Sequence, residues 1–241
     1  MSRGGPDWGI DTDTVGLNLS DHSELAVRLG SPYVYERLGR VLAIDKEGIR
    51  LRHWTQSKSD ASASIDEDLA VAFMGDRSIK LIPGSGGNKY AAIHREIPYV
   101  STRQVGVSLL FAPMEAGVEL RVNIEYVRDG TVYNFNFRIL ATGEMQTWNG
   151  AAWVTQLDTG RLLWHAIVPY WNAVHLSVDL SNLTFKSMQL NDNKVIFSDA
   201  PSTSGASSVP NSFEIYISNK DDTRDQDPMY LDAVVVTIDE P

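Results

Sequence analysis

The 241-residue chain has no cysteine, which removes disulfides, thiolate catalysis and Cys-ligated zinc together. Positive charge is scarce: 21 Lys and Arg stand against 31 Asp and Glu, a formal charge of −10. The basic residues are scattered without a run, so neither nucleic acid nor an anionic membrane surface is an expected partner. No stretch approaches the ~18 apolar residues that a membrane helix requires. The opening residues, Met1 to Thr14, lack the apolar core of a secretory leader, so no standard signal peptide is expected.

Catalytic signatures are also missing. There is no HExxH and no Gly-x-Ser-x-Gly elbow, and no two of His22, His53, His94, His165 and His175 sit at metal-binding spacing. The glycine-rich run Pro83 to Lys89 lacks the Gly-Lys-Ser/Thr of a phosphate loop and has no helix after it, so it reads as a turn.

What the sequence does contain is a change of character near residue 40. Residues 1–20 are rich in Gly, Asp and Thr and read as an extended arm. Ser20 to Gly30 carries a short helix signal, with Ser or Asp caps at its start and Gly30 and Pro32 at its end. From Val41 onward the hydrophobic period is two. Val118, Leu120, Val122, Ile124 and Tyr126 alternate with Glu119, Arg121, Asn123 and Glu125, and Tyr133, Phe135, Phe137 and Ile139 alternate with polar partners.

Asp129-Gly130 and Asn149-Gly150 are hairpin signals of the type I′ kind, and Asn191 to Asn193 is a third turn. Asp199 to Pro210 reads as a polar loop. Roughly a dozen strands at this spacing predict an antiparallel sandwich or barrel over 41–241, with residues 1–40 as arm and short helix.

Three segments carry a family likeness. Val41 to Gly48 followed by Leu51-Arg52-His53-Trp54, Gly75 to Leu81, and Met229 to Thr237 resemble the opening, an early strand and the closing strand of carbohydrate-binding-module-like and laminin-G-like (concanavalin-like) jelly rolls. Domains of this kind also occur in phage virion proteins, and the hairpin Trp148-Asn149-Gly150-Ala151-Ala152-Trp153 is similar to theirs. The resemblance implies an all-β, antiparallel jelly-roll β-sandwich. It also implies a structural calcium between first and last strands, for which Asp45, Glu47 and Asp232 are the candidate ligands. Lys46 and Ala233 depart from the acidic pattern at those places. The Glu-x-Asp-x-x-Glu strand of jelly-roll glucanases is absent, so no catalytic residue is assigned and the chain is expected not to be an enzyme.

Two functions follow from these readings. An arm that is costly to order alone is kept where a neighbour orders it, which points to a homo-oligomeric virion subunit, a capsid decoration or tail-associated protein. Its assembly surface would be Gly4 to Tyr35, with Trp8, Leu25, Leu29, Tyr33 and Tyr35 as contacts. The alternative is a glycan-binding, lectin-like module, cytoplasmic or extracellular, that stacks sugars on Trp148, Trp153, Trp164, Tyr170 and Trp171. Trp148 and Trp153 form such a platform only if they project outward; pointing inward they are core.

Overall fold

The computed structural model describes residues 40–45, 49–73, 75–97, 104–115, 117–160, 162, 168–221 and 226–238. The expected arm and helix of residues 1–39 lie outside these. Sixteen strands follow one another: β1 Arg40–Asp45, β2 Thr55–Lys58, β3 Ser64–Asp68, β4 Ser78–Ile82, β5 Lys89–Ile97, β6 Gln104–Pro113, β7 Val118–Arg128 and β8 Thr131–Ile139. They continue as β9 Glu144–Trp148, β10 Trp153–Asp158, β11 Asn172–Asp179, β12 Thr184–Leu190, β13 Asn193–Pro201, β14 Thr203–Ala206, β15 Ser212–Asp221 and β16 Met229–Ile238. The helix found among the described residues is a 3-10 turn at Leu51–His53.

All pairings are antiparallel and form two eight-stranded sheets. The first runs β13-β12-β11-β6-β16-β4-β3, with β1 also on β16; the second runs β10-β9-β8-β7-β15-β5-β2, with β14 also on β8. Neighbours in space are far apart in sequence, as in a jelly roll. The inward residues of both sheets make one core. Phe185 of the first sheet is the clearest bridge, with its ring edge-on to Phe135 and Phe137 of the second at 5.5 and 4.9 Å between centroids. Asn219, fully buried, faces inward too, and its amide donates to the carbonyls of Leu81 at 3.0 Å and Asp227 at 2.7 Å. It thereby ties the second sheet to β4 of the first.

Turns differ from expectation in instructive ways. Asp129 (φ 52°) and Gly130 (φ 75°) both take positive φ, the two-residue hairpin their sequence predicts. Asn149-Gly150 does not form a two-residue hairpin: four residues separate β9 from β10. Its Asn149 side chain accepts the amides of Ala151 (2.9 Å) and Ala152 (2.8 Å), so side-chain capping replaces a type I′ turn. The polar stretch 199–210 is not all loop. Thr203–Ala206 pairs with Ala206 opposite Thr131 and Thr203 opposite Asn134, covering the half of β8 that β9 leaves free. Likewise Asn219 to Asp221, expected in a connecting loop, complete β15.

The Pro83 to Lys89 turn is held by Asp60. That carboxylate accepts the amides of Ser62 and Ala63 and pairs with Lys89 at 3.1 Å. A Cβ on Gly84 would lie 2.4 Å from Asp60 Oδ1, so only glycine lets the two segments meet.

Candidate functional site

Alternation on the second sheet sends one residue in two into the core and the other to its outer face. On β7 the outward set is Glu119, Arg121, Asn123 and Glu125. Register then assembles their neighbours. Arg121 lies opposite Arg138, Arg138 opposite Gln146, and Gln146 opposite Thr155. Trp148 and Trp153, directly opposite each other, share this phase. The tryptophans therefore project outward and not into the core. They are half-buried, with centroids 5.5 Å apart at 61°.

Beneath them lies a polar network. Two like-charged guanidiniums face each other across β7 and β8, an arrangement that repels unless a counter-charge is supplied. Glu119 supplies it: its carboxylate accepts Arg121 Nε and stands 3.5 Å from Arg138 Nη1, with its side chain only 6% exposed. Arg138 Nε donates to Gln146 Oε1 at 2.6 Å, and Gln146 Nε2 donates to Glu144 Oε2 (2.6 Å) and Thr155 Oγ1 (3.0 Å). The guanidinium of Arg138 sits 4.5 Å from the Trp153 ring centroid and that of Arg121 5.2 Å, cation–π contacts that fix the indole. The result is a braced aromatic pair above satisfied donors and acceptors.

A second group lies on the same face, across β7, β15 and β5. Glu214 is opposite both Glu96 and Glu125, and Tyr216 is opposite His94 and Asn123. One Glu214 oxygen contacts His94 Nδ1, and the other accepts Tyr216 Oη at 2.9 Å. The His94 and Tyr216 rings stack parallel, with centroids 4.7 Å apart. Burial, and then the adjacent Glu214 charge, raise the Glu125 carboxyl above the ordinary glutamate value. Burial and Glu214 likewise push the Tyr216 phenol up.

The other expected aromatics do not join this surface. Trp171 packs against Phe73, Leu110, Ala173 and Ala233 on the outer face of the first sheet, and Tyr170, 48% exposed, precedes it. The five-residue stacking surface is thus split between opposite sides of the sandwich, because β11 belongs to the first sheet. Trp164 lies outside the described residues, as do Trp8, Leu25, Leu29, Tyr33 and Tyr35.

For the calcium set, register puts Asp45 opposite Val234, and Glu47 lies outside the described residues. Asp232 is fully buried. One of its oxygens accepts the Phe73 amide at 2.9 Å and the other the Ala233 amide at 2.7 Å, which anchors the loop before β4. Among the described residues no group of three His, Cys, Asp or Glu is arranged to hold a metal.

The first sheet contains one pair with a nucleophile's appearance, which no sequence spacing reveals. Ser108 Oγ lies 2.9 Å from His175 Nδ1. The two residues are 3% and 6% exposed in the middle of hydrogen-bonded central strands. Substrate has no approach and the ladder amides are committed, so the pair is a structural hydrogen bond.

Sequence reasoning placed Glu119 and Glu125 on a polar face but did not find Arg138, Gln146, Glu214 or Tyr216 as their companions. The signal was the phase of alternation, carried from strand to strand.

No protein-family model matches the chain, and no curated protein matches it in sequence. Among solved structures, a carbohydrate esterase from Shiga toxin-encoding bacteriophage phi24B overlays with TM-score 0.52 and 12% identity, over 84% of this chain and 100% of that one. The metal-free carbohydrate recognition domain of Emp46p overlays at 0.47 with 10% identity, over 78% and 88% of the respective chains. The CBM22-1 xylan-binding domain of Paenibacillus barcinonensis Xyn10C does so at 0.46 with 13% identity, over 84% and 97%. What is shared is the fold, a jelly-roll sandwich of the carbohydrate-binding-module-like kind.

Proposed function

We propose that the chain is a glycan-binding module whose site is the outer face of the second sheet, centred on Trp148 and Trp153. The observation that carries this reading is the braced pair itself. Two indoles stand outward on adjacent strands, held from below by Arg121 and Arg138 rather than by core packing. A sugar ring offers an apolar C–H face and a rim of hydroxyls. The indoles take the face, while Gln146, Thr155 and Glu144 take the rim. Binding rather than bond cleavage is the role proposed.

The test is titration of neutral oligosaccharides by calorimetry with the full chain. Trp153→Ala is expected to weaken binding at least about tenfold, since losing one stacked aromatic contact removes ~1 kcal/mol or more. Unchanged affinity in both Trp148→Ala and Trp153→Ala would remove the site.

Assembly is proposed for the arm. Residues 4–35, with Trp8, Leu25, Leu29, Tyr33 and Tyr35, are assigned to contact with a second copy or another virion subunit, on the strength of their composition and of the independent β-domain that follows. Removing residues 1–39 is expected to abolish any rings, tubes or shells seen by electron microscopy and to leave glycan binding intact. Assemblies that survive the truncation would refute it.

A further inference from the structure

The acceptor-rich end of the second sheet's outer face is not explained by a neutral sugar on the tryptophan pair. Every guanidinium on this face is already occupied: Arg121 and Arg138 share Glu119. Glu214 is engaged by His94 and Tyr216. Glu125, one strand over, is part-buried beside Glu214 and has no hydrogen-bond or ion-pair partner among the described residues.

Two residues away on the same face of β7, Asn123 points its amide nitrogen to Asn134 (3.0 Å). Its Oδ1 is fully shielded and has no donor among the described residues. A buried acceptor without a donor is costly. Here two such acceptors of different chemistry, a carboxylate and an amide oxygen, adjoin one another on one strand, flanked by the parallel His94–Tyr216 rings.

We propose that this end of the face is a subsite for a primary ammonium group, and that the ligand class is a glycan carrying an unacetylated amino sugar. The inference rests on the glycan reading of the same face and names its substrate class. An ammonium brings three N–H donors and one positive charge. Glu125 takes the charge and one donor, and Asn123 Oδ1 takes another. A uronate, sulfate or sialate finds the opposite: no uncommitted guanidinium, and a row made of Glu96, Glu214 and Glu125. A neutral hydroxyl supplies a donor but leaves the carboxylate uncompensated.

The experiment compares a glucosamine oligomer, the N-acetylglucosamine oligomer of equal length and a cello-oligosaccharide by calorimetry. A charge-assisted hydrogen bond makes the glucosamine oligomer roughly tenfold or more the tighter ligand. The chain's net charge of −10 attracts any polycation, so the point variant decides. Glu125→Gln, nearly isosteric, is expected to erase the glucosamine advantage while cello-oligosaccharide affinity and thermal midpoint stay as in the wild type. An advantage that survives Glu125→Gln, or equal affinities for all three oligomers, overturns the ammonium subsite and spares the tryptophan platform. Failure of all three to bind overturns the glycan reading and this inference with it.

Discussion

The two outer faces of the sandwich differ more than their strand patterns alone suggest. On the first sheet, β6, β11 and β16 are buried along almost their whole length, on both sides. Their outward positions hold small or neutral groups such as Ser108, Ala173, Ser177 and Thr237, and the single carboxylate Asp232 is spent on backbone amides. On the second sheet, β7, β8 and β15 alternate between buried and half-exposed residues, and the half-exposed ones are Glu, Arg, Asn, Tyr and Trp. An antiparallel sheet covered on both sides reads as a continuous apolar run, and one with a wetted side reads as alternation. Ligand chemistry belongs to the wetted side.

Four measurements test that division. The core common to both sheets should respond most: Phe185→Ala removes the ring between Phe135 and Phe137 and is expected to cost about 3–5 kcal/mol in denaturant unfolding. A loss of under 1 kcal/mol would mean that the sheets are held together elsewhere. Next comes Glu119→Gln, which leaves Arg121 and Arg138 facing each other without a counter-charge. It should cost roughly 1–3 kcal/mol and weaken glycan binding as well, since Trp153 loses its support. Ser108→Ala, on the covered face, should cost about 1 kcal/mol and leave glycan affinity unchanged; altered affinity would show that the two faces communicate.

The smallest effect concerns acid stability. The Asp60 carboxyl is held at about 2, below its ordinary 3.8, chiefly by the Ser62 hydroxyl and then by Lys89. A lowered carboxyl contributes stability that is complete above 3.8 and is lost as pH falls through 2. Asp60→Asn should therefore flatten the low-pH end of a melting-temperature profile and leave the neutral range nearly level. An unchanged acid limb would discard this assignment.

Much of the β framework was legible because alternation is local. β7 and β8, and the Asp129-Gly130 turn between them, follow from side chains two apart and from a dipeptide that accepts positive φ. β14 was hidden because Thr-Ser-Gly-Ala carries no apolar rhythm; its strand character comes from the free half of β8 alone. Placement on one sheet or the other was hidden as well. Trp171 enters β11 and Trp153 enters β10, and only long-range pairing sends these to opposite sides. The Glu125–Glu214 and Tyr216–His94 neighbours are likewise products of register between strands remote in sequence.

The position of β16 bears on how the molecule is made. It bonds β6 along one edge, and on the other it holds β4 with Met229 to Leu231 and β1 with its remaining half. A nascent chain that has emerged as far as residue 228 therefore has these three strands without their common partner. Such unpaired edges invite association with other chains, and closing them requires contacts between distant parts of the sequence, which slows folding. The second sheet has no such dependence after β15, so during translation the binding side is complete before the covered side has closed.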